Sequence, residues 1–353
     1  MRMTKIYVSI VIIFLLSSCF RQQSPIGATL FVPEDFTSQI ILDCEDVSFA
    51  EPVLRPVKLS VIDSFLILIN AHTTPFIQRF NLSNLEQTGE FISFGSGPDE
   101  MIAPFGLFAD ASGVHILDGG KQELFIYPIA DFCFQDEPQK MRSIRFKEFI
   151  DNAAELTDGR FVGTVRQEGH KRLTFYDSNG AFLNTEGAYP FSGLLESEKS
   201  QLLLAGSSCS LITNEKKDKI CNAYMLSDLI EIYDVNGQLL KRIQGPDHFF
   251  PDLSSKETDA IQQVKHNKDK TRDAYFSPVA YRNEIYVLYS GRFYDPDNHD
   301  MKSDQIFVFD WEGNPQRRYK LTSPVYAFTI DQQNGILYGL SDNPEFHVIK
   351  AML

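Results

Sequence analysis

The 353-residue sequence lacks an apolar run long enough to cross a bilayer as a helix, which takes about 20 residues; its longest, residues 6–16, falls well short. It holds one tryptophan and only five cysteines, too few for a disulfide-dense scaffold. Positive charge is the scarcer sign, with 33 Lys and Arg against 47 Asp and Glu and a net charge of −14. Such a surface repels phosphate backbones and anionic lipid, so neither nucleic acid nor an electrostatic grip on a membrane is expected. No Gly-x-Ser-x-Gly elbow, His-Glu-x-x-His or glycine-rich nucleotide loop occurs, and His115, His170, His248 and His299 are scattered. No catalytic constellation is therefore legible.

What is present begins with a targeting segment. Arg2 and Lys5 precede the apolar run of residues 6–16, and Leu16-Ser17-Ser18-Cys19 follows. A positive start, a short apolar stretch and small residues before a cysteine read as an export signal ending in a lipobox. Cys19 is the expected lipid-anchor site, with residues 1–18 the signal, residues 19–28 the lipidated cysteine and tether, and residues 29–353 the folded domain. Three acyl chains would hold such a protein on a membrane essentially permanently. Of the other cysteines, Cys209 and Cys221 could close a disulfide, whereas Cys44 and Cys133 sit in apolar contexts that suit buried free thiols.

Beyond the signal, short alternating or β-branched runs recur, bounded by Gly, Asn and Asp. The fold is expected to be all-β. One phrase repeats: Phe175-Tyr176-Asp177-Ser178-Asn179-Gly180, Ile232-Tyr233-Asp234-Val235-Asn236-Gly237 and Val308-Phe309-Asp310-Trp311-Glu312-Gly313. Asp caps such a turn through its side chain and Gly takes the positive φ that closes it, so each phrase marks an outer hairpin. Inner hairpins are read at residues 57–69, 105–117, 154–164, 194–204, 279–289 and 327–340. Six four-stranded units of roughly 50 residues make a six-bladed β-propeller. A pair of β-sandwiches would need a linker, and no Pro/Gly/Ser-rich stretch supplies one. The last unit is one strand short, so an N-terminal strand, residues 39–42, is expected to complete it and remove an exposed edge.

In a propeller the hairpin turns lie on one face and the links between hairpins and blades on the other. The tight phrases above fall on the turn face. The long stretches 95–104, 165–171, 206–229, 245–277 and 290–303 are expected on the link face, which marks it as the functional one. Ser254 and Glu257 stand in capping-box register, suggesting a helix over residues 254–268 that serves as a lid or as a solvated insertion. Arg272, Tyr275, Arg292 and Tyr294 form two Arg/Tyr pairs suited to a sugar, carboxylate or peptide. Asp99 and Glu100, in Gly95-Ser96-Gly97-Pro98-Asp99-Glu100, belong to a turn whose amides could bind an anion, or to a simple blade-to-blade turn. Asp295, Asp297 and Asp300 are oxygen-rich enough for calcium but lack the Gly and distal Glu of an EF-hand, which leaves solvated loop chemistry as the better reading.

The lipobox, the Gly95–Glu100 turn and the run Tyr281-Arg282-Asn283-Glu284-Ile285-Tyr286-Val287-Leu288-Tyr289-Ser290-Gly291 together resemble the TolB-like six-bladed propeller lipoproteins of Bacteroidetes, over nearly the whole mature chain. In that family the first turn reads Gly-x-Gly-Pro-Gly-Glu; Asp99 replaces a glycine here. The resemblance implies a propeller in the cell envelope and carries over no catalytic residue. Phe20-Arg21-Gln22-Gln23 lacks an acidic surface-export signal, which points to the periplasmic side of the outer membrane. The expected function is a non-catalytic module binding a protein, peptide or glycan through its link face. The alternative is a lactonase, lyase or glycosidase at the channel mouth, with calcium as its possible cofactor, and a structural envelope component is a third reading.

Overall fold

A computed structural model describes residues 24–70, 73–192, 200–257, 262–295 and 301–353. The domain is all-β, and six four-stranded antiparallel blades form a closed ring. Blade one is Pro56–Ile62, Phe65–Asn70, Ile77–Asn81 and Gln87–Phe91, and blade two is Pro104–Asp110, Gly113–Asp118, Glu123–Tyr127 and Arg142–Arg145. Blade three is Ile150–Glu155, Phe161–Val165, Leu173–Tyr176 and Phe182–Glu186, and blade four is Cys209–Thr213, Lys219–Tyr224, Leu229–Asp234 and Leu239–Gln244. Blade five is Tyr275–Tyr281, Glu284–Tyr289, Ser303–Asp310 and Pro315–Val325. Blade six is Ala327–Ile330, Ile336–Ser341, His347–Met352 and, from the N-terminal side, Glu45–Val47.

Second strands such as Phe65–Asn70 and Gly113–Asp118 are buried along their whole length, because a neighbouring blade covers each face. They consequently read as unbroken apolar runs rather than alternating ones. Six apolar clusters lie one in each groove between consecutive blades: Phe65 and Ile67 against Ile116, Leu124 against Phe161, Phe175 against Tyr233, Ile232 against Phe309, Leu288 against Ile349, and Tyr338 against Leu68. At about 1.5–3 kcal/mol per fully buried large apolar side chain, this interblade burial is what makes a blade stable only beside its neighbours.

The Asp-x-x-Gly phrase sets how closely blades approach. Asp234 Oδ1 accepts the amides of Asn236 (2.9 Å) and Gln238 (2.8 Å), and the Gly237 amide donates to the Asp234 carbonyl (3.0 Å). Asp177 and Asp310 build the same turn. Each glycine has a positive φ and rests on the outer part of the preceding blade: Gly180 on Ile144 and Arg145, Gly237 on Glu186 and Phe175, Gly313 on Lys241 and Ile243. A Cβ at Gly237 would lie 2.6 Å from that of Glu186.

Three sequence expectations are corrected. The fourth inner hairpin is Cys209–Thr213 with Lys219–Tyr224, and Ser200–Gly206, which overlaps the end of the stretch assigned to it, is a helix. Residues 206–229 are therefore mostly blade, not a link. Residues 254–268 carry a two-stranded hairpin, Leu253–Glu257 with Gln262–His266, in place of the expected helix, because cross-strand pairing outweighs a local capping pattern. Finally, an N-terminal strand does close the last blade, but it is Glu45–Val47, paired with Val348–Lys350. Glu45 and Asp46 sit beside Lys350 and His347, at 3.4 Å and 3.5 Å, so polar cross-strand contacts, and not an apolar pattern, mark this strand. Gln39–Leu42 instead adds a parallel fifth strand to blade five, and Thr29–Leu30 does the same on blade four.

Replacing Gly159, where a Cβ would meet nothing within 4 Å, by Ala isolates the backbone cost of positive φ, about 1–2 kcal/mol. Gly237→Ala adds the clash with blade three and should cost at least twice as much in urea unfolding; equal costs would mean that the glycine serves its turn alone.

Candidate functional site: the link face of blades four and five

The loop leaving blade four is held by a buried carboxylate. Asp228 Oδ2 accepts the amides of Asp247 (2.8 Å) and His248 (2.6 Å), and its Oδ1 accepts that of Phe249 (3.1 Å). Burial pushes its carboxyl up to about 6, against the opposing pull of those backbone donors. Tyr275 donates its hydroxyl to the Gly245 carbonyl (2.5 Å) and Tyr289 donates to Asp247 Oδ2 (2.5 Å). His248 Nε2 meets the Phe31 carbonyl at 2.8 Å, tying the loop to the N-terminal segment.

On this frame Arg272 lies over the Phe293 ring at 4.5 Å and the Phe249 ring at 5.7 Å, with Asp247 Oδ2 3.6 Å from Nη1. An isolated bridge between Arg272 and Phe293 fixes the two backbones, and Tyr294 stacks on His266 of the added hairpin at 4.3 Å. Phe293 is 52% exposed. The result is a guanidinium over an open aromatic ring, on long links that the sequence marked by their length and by their arginines and tyrosines.

The predicted residues divide. Arg272 and Tyr294 belong to this platform, and the Arg292 carbonyl accepts the Asp273 amide beside it at 2.9 Å. Tyr275 does not: its ring is fully buried and packs on Tyr289 and Phe307 in the groove between blades four and five. Glu100 closes its own turn by accepting the Gly97 amide at 2.7 Å, and its carboxylate fills the space beside Gly95. Asp99 pairs with Lys140 at 3.2 Å, and the Gly97 amide is taken up within the turn by Glu100. Asp295 is exposed, and Asp297 and Asp300 lie outside the described residues. Cys209 and Cys221 are free: they face Tyr224 and Ile212 across the hairpin, out of register with each other, and burial pushes the Cys209 thiol up to about 11. Buried and protonated, they are inert.

A second cluster, missed in the sequence, lies on the opposite, turn face. Asp110 and Glu155 end the first strands of blades two and three, and Lys217 lies in the inner turn of blade four. Lys217 Nζ sits 2.8 Å from Asp110 and 2.6 Å from Glu155. Ser112 Oγ lies 2.6 Å from Asp110, 2.9 Å from Glu155 and 3.0 Å from His115 Nε2, with one proton to donate among them, while the imidazole stacks on Phe108. Burial alone would raise the Asp110 pKa, but hydrogen bonds from His115, Lys217 and Ser112 outweigh it and hold the carboxyl well below the usual range. Asp110, His115 and Glu155 offer ligand atoms within 4.8 Å of one another, yet the Lys217 ammonium already stands between the two carboxylates. His115 Nδ1 is buried without a hydrogen-bond partner, whereas a serine triad places a carboxylate on that nitrogen. The chemistry is that of an ion staple joining three blades. Placing the fourth hairpin correctly would have brought Lys217 into line with Asp110 and Glu155.

A closed ring of six four-stranded antiparallel blades, with tight turns on one face and longer links on the other, is a six-bladed β-propeller. A family model described as TolB-like 6-blade propeller-like matches residues 35–333, and the chain belongs to that family. Among solved structures the chain is similar to a DUF4221-family protein of Bacteroides vulgatus, at 11% identity and a TM-score of 0.53, over 88% of this chain and 95% of that one. It is similar also to a Bacteroides fragilis protein described as exported, at 10% identity and a TM-score of 0.54, over 90% and 98%. Raptor of Chaetomium thermophilum matches at 11% identity and a TM-score of 0.50, over 87% of this chain and 28% of that one. At such identities the likeness is one of fold. No curated protein sequence matches the chain.

Lys217→Met leaves two partly buried carboxylates facing each other without a cation and should lower unfolding free energy at pH 7 by about 1–3 kcal/mol. An unchanged urea midpoint would remove the staple from the account.

Proposed function

We propose that the protein is a lipid-anchored envelope module that binds a protein or peptide partner on the link face of blades four and five, without catalysing a reaction. The observation that carries this is the exposed Phe293 ring with the Arg272 guanidinium over it at 4.5 Å. Arg and aromatic side chains dominate the energetic centres of protein interfaces, where a planar fork and a rigid ring bury area at little entropic cost. The backbone beneath is fixed in advance by Asp228, Tyr275 and Tyr289, so little ordering remains to oppose binding. The envelope location rests on Arg2, Lys5 and the lipobox ending at Cys19, and the periplasmic side of the outer membrane on the absence of acid at residues 20–23. The Bacteroides fragilis neighbour described as exported agrees with this reading.

The double substitution Arg272→Ala and Phe293→Ala should reduce partner recovery from crosslinked envelopes by about tenfold or more, the loss of a hot spot. Recovery equal to wild type would reject the site.

The runner-up, an enzyme at the channel mouth, is favoured by one observation: Ser112 Oγ, His115, Asp110 and Glu155 converge on the turn face. It requires a hydrolytic activity of the purified protein toward model esters or lactones that Ser112→Ala abolishes; activity absent from wild type, or untouched in the variant, removes it.

A further inference from the structure

Three consecutive blades carry pairs of exposed apolar residues on strands at or next to their outer edges. These are Phe182 and Leu183 on blade three, Leu239 and Leu240 on blade four, and Ile40 and Ile41 on the strand added to blade five. Their exposure runs from 37% to 65%. The outermost strands elsewhere differ: Gln87–Phe91 exposes Thr88 and Glu90, Arg142–Arg145 reads Arg-Ser-Ile-Arg, and Glu45–Val47 exposes two acids. Large apolar side chains left exposed on three neighbouring blades mark a contact with a partner or a membrane.

The N-terminal chain decides which. Its first described residues are packed on blade four rather than free. Ser24 is buried, its hydroxyl oxygen accepts the Ala28 amide at 3.2 Å, and Thr29–Leu30 pairs with Ile243–Gln244. Arg242, held by the buried carboxylate of Glu231 at 2.6 Å, donates to the Ile26 carbonyl at 2.6 Å. The chain therefore enters the propeller along the very strand that bears Leu239 and Leu240. From Ser24 back to Cys19 is five residues, a reach of roughly 17 Å when fully extended, whereas a domain of this length has a radius of gyration of roughly 20 Å. A lipid on Cys19 cannot bring the opposite rim, around Glu90, to the bilayer while blade four stays docked.

We infer that the rim of blades three to five is a lipid-contact surface that holds the propeller edge-on to the membrane. The inference rests on the anchor reading of Cys19 and deepens it. The apolar pairs enter the acyl boundary, their burial needs no cationic surface, and both the link face and the turn face stay open to the side. The platform at Arg272 and Phe293 is then reachable by a partner in the aqueous compartment.

The test uses full-length protein purified from envelopes and placed in phosphatidylcholine vesicles with and without brominated acyl chains. The native Trp311 is buried and gives a constant background. Tryptophan is introduced singly as Leu240→Trp, Ile41→Trp or Glu90→Trp, all at exposed positions. The expected result is loss of most of the added emission at positions 240 and 41 and none at 90. Equal quenching at all three, or quenching at 90 alone, in protein that floats with vesicles overturns the orientation while leaving the anchor intact. Protein that fails to float, or floats equally well as Cys19→Ser, refutes the anchor reading and the inference with it. A dimer of the Cys19→Ser protein that Leu240→Glu dissolves would assign the rim to a second copy of the chain and likewise overturn the lipid contact.

Discussion

The structure depends on how closely one blade can approach the next, and the outer Asp-x-x-Gly turn sets that distance. The aspartate satisfies two backbone amides from its side chain, and the glycine, having no Cβ, lets the turn lie directly on the preceding blade. With Gly180, Gly237 and Gly313 doing this in blades three to five, the grooves between those blades close on their apolar residues instead of on water. Each blade's central strands are then buried on both sides, and a ring is the arrangement that leaves no blade with an uncovered face. The N-terminal chain completes it by adding a strand in turn to blades four, five and six.

The sides of the blades are spent mostly on packing, with internal polar groups such as Glu231 bonded to Tyr224, Tyr233 and Arg242, and the two ends are used differently. On the turn face, short connections bring Asp110, Glu155 and Lys217 together as an internal ion cluster that links three blades. A charge cluster so satisfied contributes rigidity and has little left to offer a ligand. On the link face, longer connections carry the anchoring charge at Asp228 inside and leave Arg272 and Phe293 outside. A buried carboxylate raised to about 6 costs stability as pH climbs from its unfolded value near 4 through 6, which fits a residue kept for holding a loop rather than for the stability of the fold.

The legible part of the fold was the part written in local chemistry. Five of six inner hairpins and the Asp-x-x-Gly turns are visible because turn residues and apolar runs obey short-range rules. The fourth inner hairpin was hidden because Ser, Thr, Asn and Lys interrupt the apolar residues of Cys209–Thr213 and Lys219–Tyr224, while the leucines at both ends of residues 194–204 imitate two short strands. The closing strand was hidden because Glu45 and Asp46 are recruited by Lys350 and His347, a pairing of distant residues. At the site, Arg272 was legible as a charge in a long link, but Tyr275, three residues on, points its ring into the core, and the stacking partner Phe293 could be found only once the bridge across the link was known. The Lys217 cluster needs three blades in register and has no local signature at all.

The central claim is that the link face of blades four and five, and not the turn face, is the working surface. In-cell photocrosslinking tests it most directly, with a benzophenone amino acid placed at Phe293 in one strain and at Ala111, beside the turn-face cluster, in another. The account predicts a discrete covalent adduct from position 293 and none from position 111; adducts from 111 alone would contradict it.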